Sequence, residues 1–235
     1  MTGKFRGILF DLDGTLADTL ADLANATNWA LTQLGCPTHA VDSYRLKVGD
    51  GARELCARAL PADRQALADD AVRLMRERYN KHCFELTRLY PGIPELIAEL
   101  ATRRYRLAVL SNKPDDFTKG MIQHYFPNPE APSRQPTTPR GGSGAAIGPF
   151  DIVRGQLPNV PLKPDPTAAL QIAQALGVAP WEWLYLGDTN TDMRTATAAG
   201  MTAVGALWGF RDRKELESSG AQHLVARPEE VLDLL

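Results

Sequence analysis

The chain has 235 residues, is 44% hydrophobic and carries a formal net charge of −2, with acids and bases interspersed. That composition supports one large domain, or a domain with a sizeable insertion, and it offers no basic stripe for nucleic acid. The three cysteines, odd in number and without C-x-x-C spacing, argue against a disulfide framework or a zinc site; the first apolar run stops at Asp11, too short for a signal peptide, and no stretch is long enough to cross a membrane, so a cytoplasmic protein is expected.

In chain order, the first element is the run Gly7-Ile8-Leu9-Phe10, short and continuously apolar, as in a strand buried on both faces. From Asp18 to about Glu85 no strand-like run occurs. Leu20, Leu23, Thr27, Ala30, Leu31 and Leu34 form one helical stripe closed by Gly35, and Leu67, Ala71, Leu74, Met75 and Tyr79 form another. The spacing therefore predicts a helical insertion over 18–85. It can be a separate small bundle or a set of crossover helices. Its length favours the bundle, leaving 1–17 and 86–235 as the main domain. A helix follows at 93–103, then a strand at 107–110, a helix over 166–176 stopped by Gly177, and strands at 183–186 and 202–205. Strands alternating with helices imply an α/β fold, a Rossmann-like parallel sheet flanked by helices. Residues 127–149 are dense in Pro, Gly, Ser and Thr and read as an enlarged loop. Gly141-Gly142-Ser143-Gly144 lacks the Lys-Ser/Thr pair and helix of a phosphate loop.

In a parallel sheet, ligands bind beyond the carboxyl ends of the strands. The chain places polar residues at several of those ends: Asp11 and Asp13 after the first strand, Ser111, Asn112 and Lys113 after "AVL", and Asp188 with Asp192 after "YLG". Lys163 precedes the helix at 166–176. Clustered carboxylates remain ionised together only around a cation, and oxygen ligands without His or Cys suit Mg²⁺. A metal, a lysine and a hydroxyl can hold a phosphoryl group, and a neighbouring aspartate can attack phosphorus.

These motifs, "DLDGT" (11–15), "SN" (111–112), "KPDP" (163–166) and "GDTNTD" (187–192), resemble in order and separation those of the haloacid dehalogenase-like hydrolases. The resemblance covers essentially the whole chain, and the insertion after the first motif is similar to the family's helical cap. It implies Asp11 as nucleophile and Asp13 as general acid, then base. It implies a Mg²⁺ shell from Asp11, the backbone carbonyl of Asp13, and Asp188. Ser111 and Lys163 would bind phosphate oxygens, and Asp192 would support the metal shell or Lys163 from behind. Thr15 and Asn112 would orient these groups and border the substrate. Without the resemblance, Asp13 and Thr15 could simply shape a turn with Gly14, Asp18 and Asp165 read as helix caps, and Lys113 and Asp192 could form surface ion pairs.

The acid at position 13 favours an oxygen leaving group, since dehalogenases lack it. The segment "VGDGARELCARAL" (48–60) resembles the cap segment of phosphoglycolate phosphatases. Gly49, Gly51 and Arg53 are accordingly candidate substrate contacts, Arg53 as partner of a carboxylate; equally, Gly49-Asp50-Gly51 can be a loop and helix cap with Arg53 in solvent. The expectation is a Mg²⁺-dependent phosphatase for a small phosphorylated metabolite, 2-phosphoglycolate first. A sugar-phosphate phosphatase or a mutase resembling β-phosphoglucomutase is the alternative. A binding or regulatory protein on the same scaffold would be expected to lack one of the two leading acids. Monomer and homodimer both stay open.

Overall fold

The structure is a computed structural model that describes residues 4–127 and 146–235. Most of the Pro- and Gly-rich stretch, including Gly141–Gly144, lies outside the described residues.

Six parallel strands form the central sheet in the order β5-β4-β1-β6-β7-β8. They are β1 (Gly7–Phe10), β4 (Arg106–Pro114), β5 (Ile152–Gln156), β6 (Trp183–Gly187), β7 (Thr202–Ala206) and β8 (His223–Val225). β1 lies between β4 and β6, with Ile8 opposite Leu107 and Leu184. All four residues of β1 are buried, which is why its apolar run is continuous rather than alternating. Helices α4 (Ile93–Thr102), α5 (Asp115–Tyr125), α6 (Thr167–Ala175), α7 (Asn190–Ala199) and α8 (Arg213–Ser218) connect these strands. The core divides into two clusters: Ile8, Phe10, Val109 and Leu186 share one, and Leu9, Ala108, Tyr185 and Ile172 the other.

Two short strands, β2 (Ala17–Asp18) and β3 (Arg88–Leu89), pair antiparallel where the chain leaves and re-enters the α/β body. Between them run α1 (Leu20–Gln33), α2 (Ala52–Ala59) and α3 (Ala68–His82), with short 3-10 turns at Val41–Leu46 and Ala62–Leu67. α1 packs along α3, burying Leu23, Ala30 and Leu31 from one and Ala71, Met75 and Tyr79 from the other. The re-entry point is pinned by Asp22, whose buried carboxylate accepts from the Leu86 and Thr87 amides and the Thr87 hydroxyl. Seven strands and helices were not read from the sequence: β2, β3, β5, β8, α5, α7 and α8. β5 carries a buried Arg154 in its centre, which hides the strand signal.

Candidate active site

Asp11 follows β1 directly and extends its ladder, its amide donating to Leu186 O at 2.9 Å. The carboxylate thus projects from the carboxyl edge of the sheet, at the join with β4 and β6. Lys163 arrives from the loop before α6. Its Nζ donates to Asp11 Oδ1 at 2.8 Å and Asp192 Oδ1 at 2.7 Å, and its side chain is 3% exposed. Burial alone would lower the ammonium, but the two carboxylates outweigh it and hold Lys163 well above its ordinary value. Asn112 fixes the lysine's backbone: its Nδ2 donates to Lys163 O at 3.1 Å, and its Oδ1 accepts from Lys163 N at 2.8 Å.

Asp188, at the end of β6, accepts from the Thr15 hydroxyl at 3.0 Å and from the Phe210 amide at 2.8 Å. Gly14 and Gly209 press against it. A Cβ on Gly14 would lie 2.2 Å from Asp188 Oδ2, and one on Gly209 2.2 Å from Asp188 Cβ. Asp192, in the first turn of α7, accepts from the Thr189 amide and hydroxyl with its other oxygen, closing the helix cap.

Carboxylate oxygens of Asp11, Asp188 and Asp192 lie within 4.8 Å of one another, all buried. Burial and repulsion from Asp192 push the Asp11 carboxyl up to about 7, against the pull of Lys163. Burial, reinforced by Asp11 and Asp192, likewise raises Asp188 well above the ordinary carboxylate range. One lysine does not balance three acids. The set of hard oxygen donors with unbalanced charge fits a divalent cation. Both oxygens of Asp192 are engaged by Lys163 and Thr189, whereas Asp11 Oδ2 has no protein donor among the described residues. Asp188 also accepts on both oxygens, from Thr15 and the Phe210 amide, so of the three carboxylates Asp11, through Oδ2, is the best placed for a metal.

A cavity opens above this cluster. Its lining includes Asp11, Asp13, Gly49, Gly51, Ser111 and Asn112 from the sequence motifs, and Leu55, Met75, Tyr79 and Phe117 as an apolar wall. Gly49 and Gly51 have φ of +126° and +92°, a backbone region that favours glycine, and they turn the chain into α2. Gly49 O accepts from Asn112 Nδ2 at 3.0 Å, so this turn touches the sheet edge.

Two expectations change, and one alternative reading falls. Arg53 does not line the cavity; its guanidinium is exposed and pairs with Asp69 at 3.2 Å, because its position on α2 turns it outward. Thr15 is fully buried with its hydroxyl on Asp188 and does not line the cavity, so it is placed to orient that carboxylate. Lys113 and Asp192 are not surface ion pairs. Lys113 is 4% exposed and donates to Asp13 Oδ1 at 2.8 Å and to Tyr79 Oη at 2.9 Å. Sequence reading missed Tyr79 as a site residue because it fits the helical core stripe equally well. Lys113 stood beside a motif, but its partner lies 100 positions away.

A family model described as haloacid dehalogenase-like hydrolase matches residues 5–200. The chain belongs to the haloacid dehalogenase-like hydrolases. Among its relatives, a phosphoglycolate phosphatase of Pseudomonas putida is 33% identical over 229 residues, 94% of this chain and 76% of its own length. One from Aquifex aeolicus is 29% identical over 98% of this chain and 96% of its own length. Of solved structures, a Lactobacillus delbrueckii subsp. bulgaricus protein provisionally assigned as a phosphoglycolate phosphatase superposes with a TM-score of 0.85 at 26% identity. That match covers 99% of both chains.

Proposed function

We propose that the protein is a Mg²⁺-dependent phosphatase that hydrolyses 2-phosphoglycolate through an aspartyl-phosphate on Asp11. The observation that carries this reading is the placement of Asp11: one oxygen held by Lys163, the other without a protein donor, in a cavity it shares with Asp13. The identity to phosphoglycolate phosphatases over nearly the whole chain supports the choice of substrate.

Asp11 attacks phosphorus, forming an acyl phosphate as the bond to the bridging oxygen breaks. Asp13 delivers a proton to that oxygen, and glycolate leaves. Asp13 then takes a proton from water, which attacks the acyl phosphate and releases inorganic phosphate and free Asp11. Ser111 and Lys163 bind phosphate oxygens, and Lys163 also offsets the charge of Asp11. Asp192 and Asn112 hold Lys163 in place. The carboxylates of Asp11 and Asp188 and the backbone carbonyl of Asp13 would hold Mg²⁺, with Thr15 and the Phe210 amide orienting Asp188. When bound, Mg²⁺ supplies positive charge that neutralises the carboxylates and the phosphate oxygens. Residues 18–85 act as a cap domain over the α/β core. Cys36, Cys56 and Cys83 are buried and unpaired, which suits the reducing cytoplasm where we place the reaction. Among the described residues no helix is long and apolar enough to cross a membrane.

The test is phosphate release from a panel of esters, with Mg²⁺ and with EDTA. The expected outcome is the highest kcat/KM on 2-phosphoglycolate, loss of turnover in EDTA, and no turnover by Asp11→Asn despite intact folding. Higher kcat/KM on a hexose phosphate would overturn the substrate, and turnover by Asp11→Asn would overturn the nucleophile.

A further inference from the structure

With Arg53 on the outer surface, the carboxylate of 2-phosphoglycolate has no assigned receptor. Two cationic side chains line the cavity, Arg76 and Lys113. Arg76 pairs with Asp116 at 3.1 Å, and both partners are substantially exposed. Its guanidinium also stands 5.4 Å from the centre of the Phe117 ring. Lys113 is different. It is buried, and it touches Asp13, the proposed acid, directly.

An ammonium has three N–H donors and a phenol one O–H. Lys113 spends one donor on Asp13 Oδ1 and one on the oxygen of Tyr79. Its third finds no acceptor among the described residues. Tyr79, 1% exposed, accepts from Lys113, and its own proton also finds no acceptor there. Burial holds the Tyr79 phenol well above its usual range, so that proton is retained. Two unspent donors thus meet at one wall of the cavity, beside the group that faces the leaving oxygen. A buried cation with spare donors is costly unless an anion completes it.

In 2-phosphoglycolate a single methylene separates the bridging oxygen from the carboxylate. A group that contacts Asp13 while Asp13 contacts the bridging oxygen is therefore within reach of that carboxylate. We propose that Lys113 and Tyr79 form the receptor for the leaving-group carboxylate and so set the preference for phosphorylated hydroxy acids over neutral esters. The inference rests on the phosphatase reading above. Lys113 of β4 already bonds Tyr79 of α3, and a carboxylate shared between them would strengthen that link between the helical segment and the sheet edge. A neutral leaving group adds nothing to it.

The experiment crosses substrate with residue: kcat/KM for 2-phosphoglycolate and for ethyl phosphate, which keeps the skeleton without the carboxylate. The enzymes are wild type, Lys113→Met and Tyr79→Phe. Wild type should prefer 2-phosphoglycolate. Lys113→Met should lower that preference by about 100-fold, and Tyr79→Phe by about 10-fold, as expected when a charged and a neutral hydrogen bond to substrate are lost. Equal losses on both esters would overturn the receptor while leaving the phosphatase reading standing. Should Lys113→Met fail to fold, an unchanged preference in Tyr79→Phe would overturn it equally. Wild type that turns over ethyl phosphate but not 2-phosphoglycolate would overturn the substrate reading and the receptor together.

Discussion

A methyl group added at Gly209 would meet Asp188 Cβ at 2.2 Å and the carbonyl oxygen of Gly14 at 2.5 Å. Neither neighbour is the loose end of a side chain, so backbone or carboxylate must move. Gly209→Ala is expected to cost about 1–3 kcal/mol by overpacking. It should weaken Mg²⁺ binding far more than it lowers the unfolding midpoint. Titration calorimetry with Mg²⁺ checks this, and wild-type affinity would show that Asp188 does not depend on the close approach. At this scale the sequence was only partly readable. Asp11, Asp13, Lys163 and Asp188 stand in short motifs whose spacing carries their meaning. Gly209, Lys113 and Tyr79 acquire theirs from partners far away in the chain, and nothing local distinguishes Tyr79 from a core tyrosine. Arg53 shows the converse: a motif-adjacent arginine whose helix turns it away from the cavity.

The segment 45–51, which carries the turn into α2, is held to the α/β body by five hydrogen bonds. Arg211 donates to Arg45 O and, at 2.9 Å, to Val48 O; Arg45 returns a bond to Gly209 O at 3.2 Å. Asn112 reaches Gly49 O, and Thr191 donates to Asp50 Oδ1 at 2.8 Å. Arg211 is 8% exposed, so its two carbonyl partners would lose a buried charged donor on truncation. Arg211→Ala should destabilise this contact by about 1.5–3 kcal/mol, the usual range for bonds to charged groups. Amide exchange over 44–51 should accelerate while α4 and β6 stay protected. Unchanged exchange there would mean that the other ties suffice. Elements were legible where burial is uniform, as in β1 and β6, or where one face repeats, as in α1 and α3. β5 escaped because Arg154 interrupts its apolar run, β8 because only two of its three residues are apolar, and β2 and β3 because two residues carry no period.

Across the molecule, the acidic cluster couples folding to pH and to metal. In the metal-free fold the Asp11 carboxyl is raised to about 7 by burial and by its acidic neighbours. In the unfolded chain it returns to its ordinary value of 3.8. Between those values the folded state binds more protons than the unfolded state, so stability falls as pH rises through that window. Below it both states are protonated and the group has no effect; above it the full cost is in place. Asp11→Asn carries no charge to bury. In EDTA its unfolding midpoint should therefore pull ahead of wild type as pH rises from about 4 to about 7, then hold a constant lead. Adding Mg²⁺ at pH 7.5 should reverse the order, because the wild-type carboxylates bind the ion and ligand binding stabilises the folded state. Thermal unfolding of both proteins at several pH values, with EDTA and with Mg²⁺, measures this directly. Parallel pH curves in EDTA would show that Asp11 does not carry the charge strain. A wild type that gains nothing over Asp11→Asn from Mg²⁺ would remove Asp11 from the metal site.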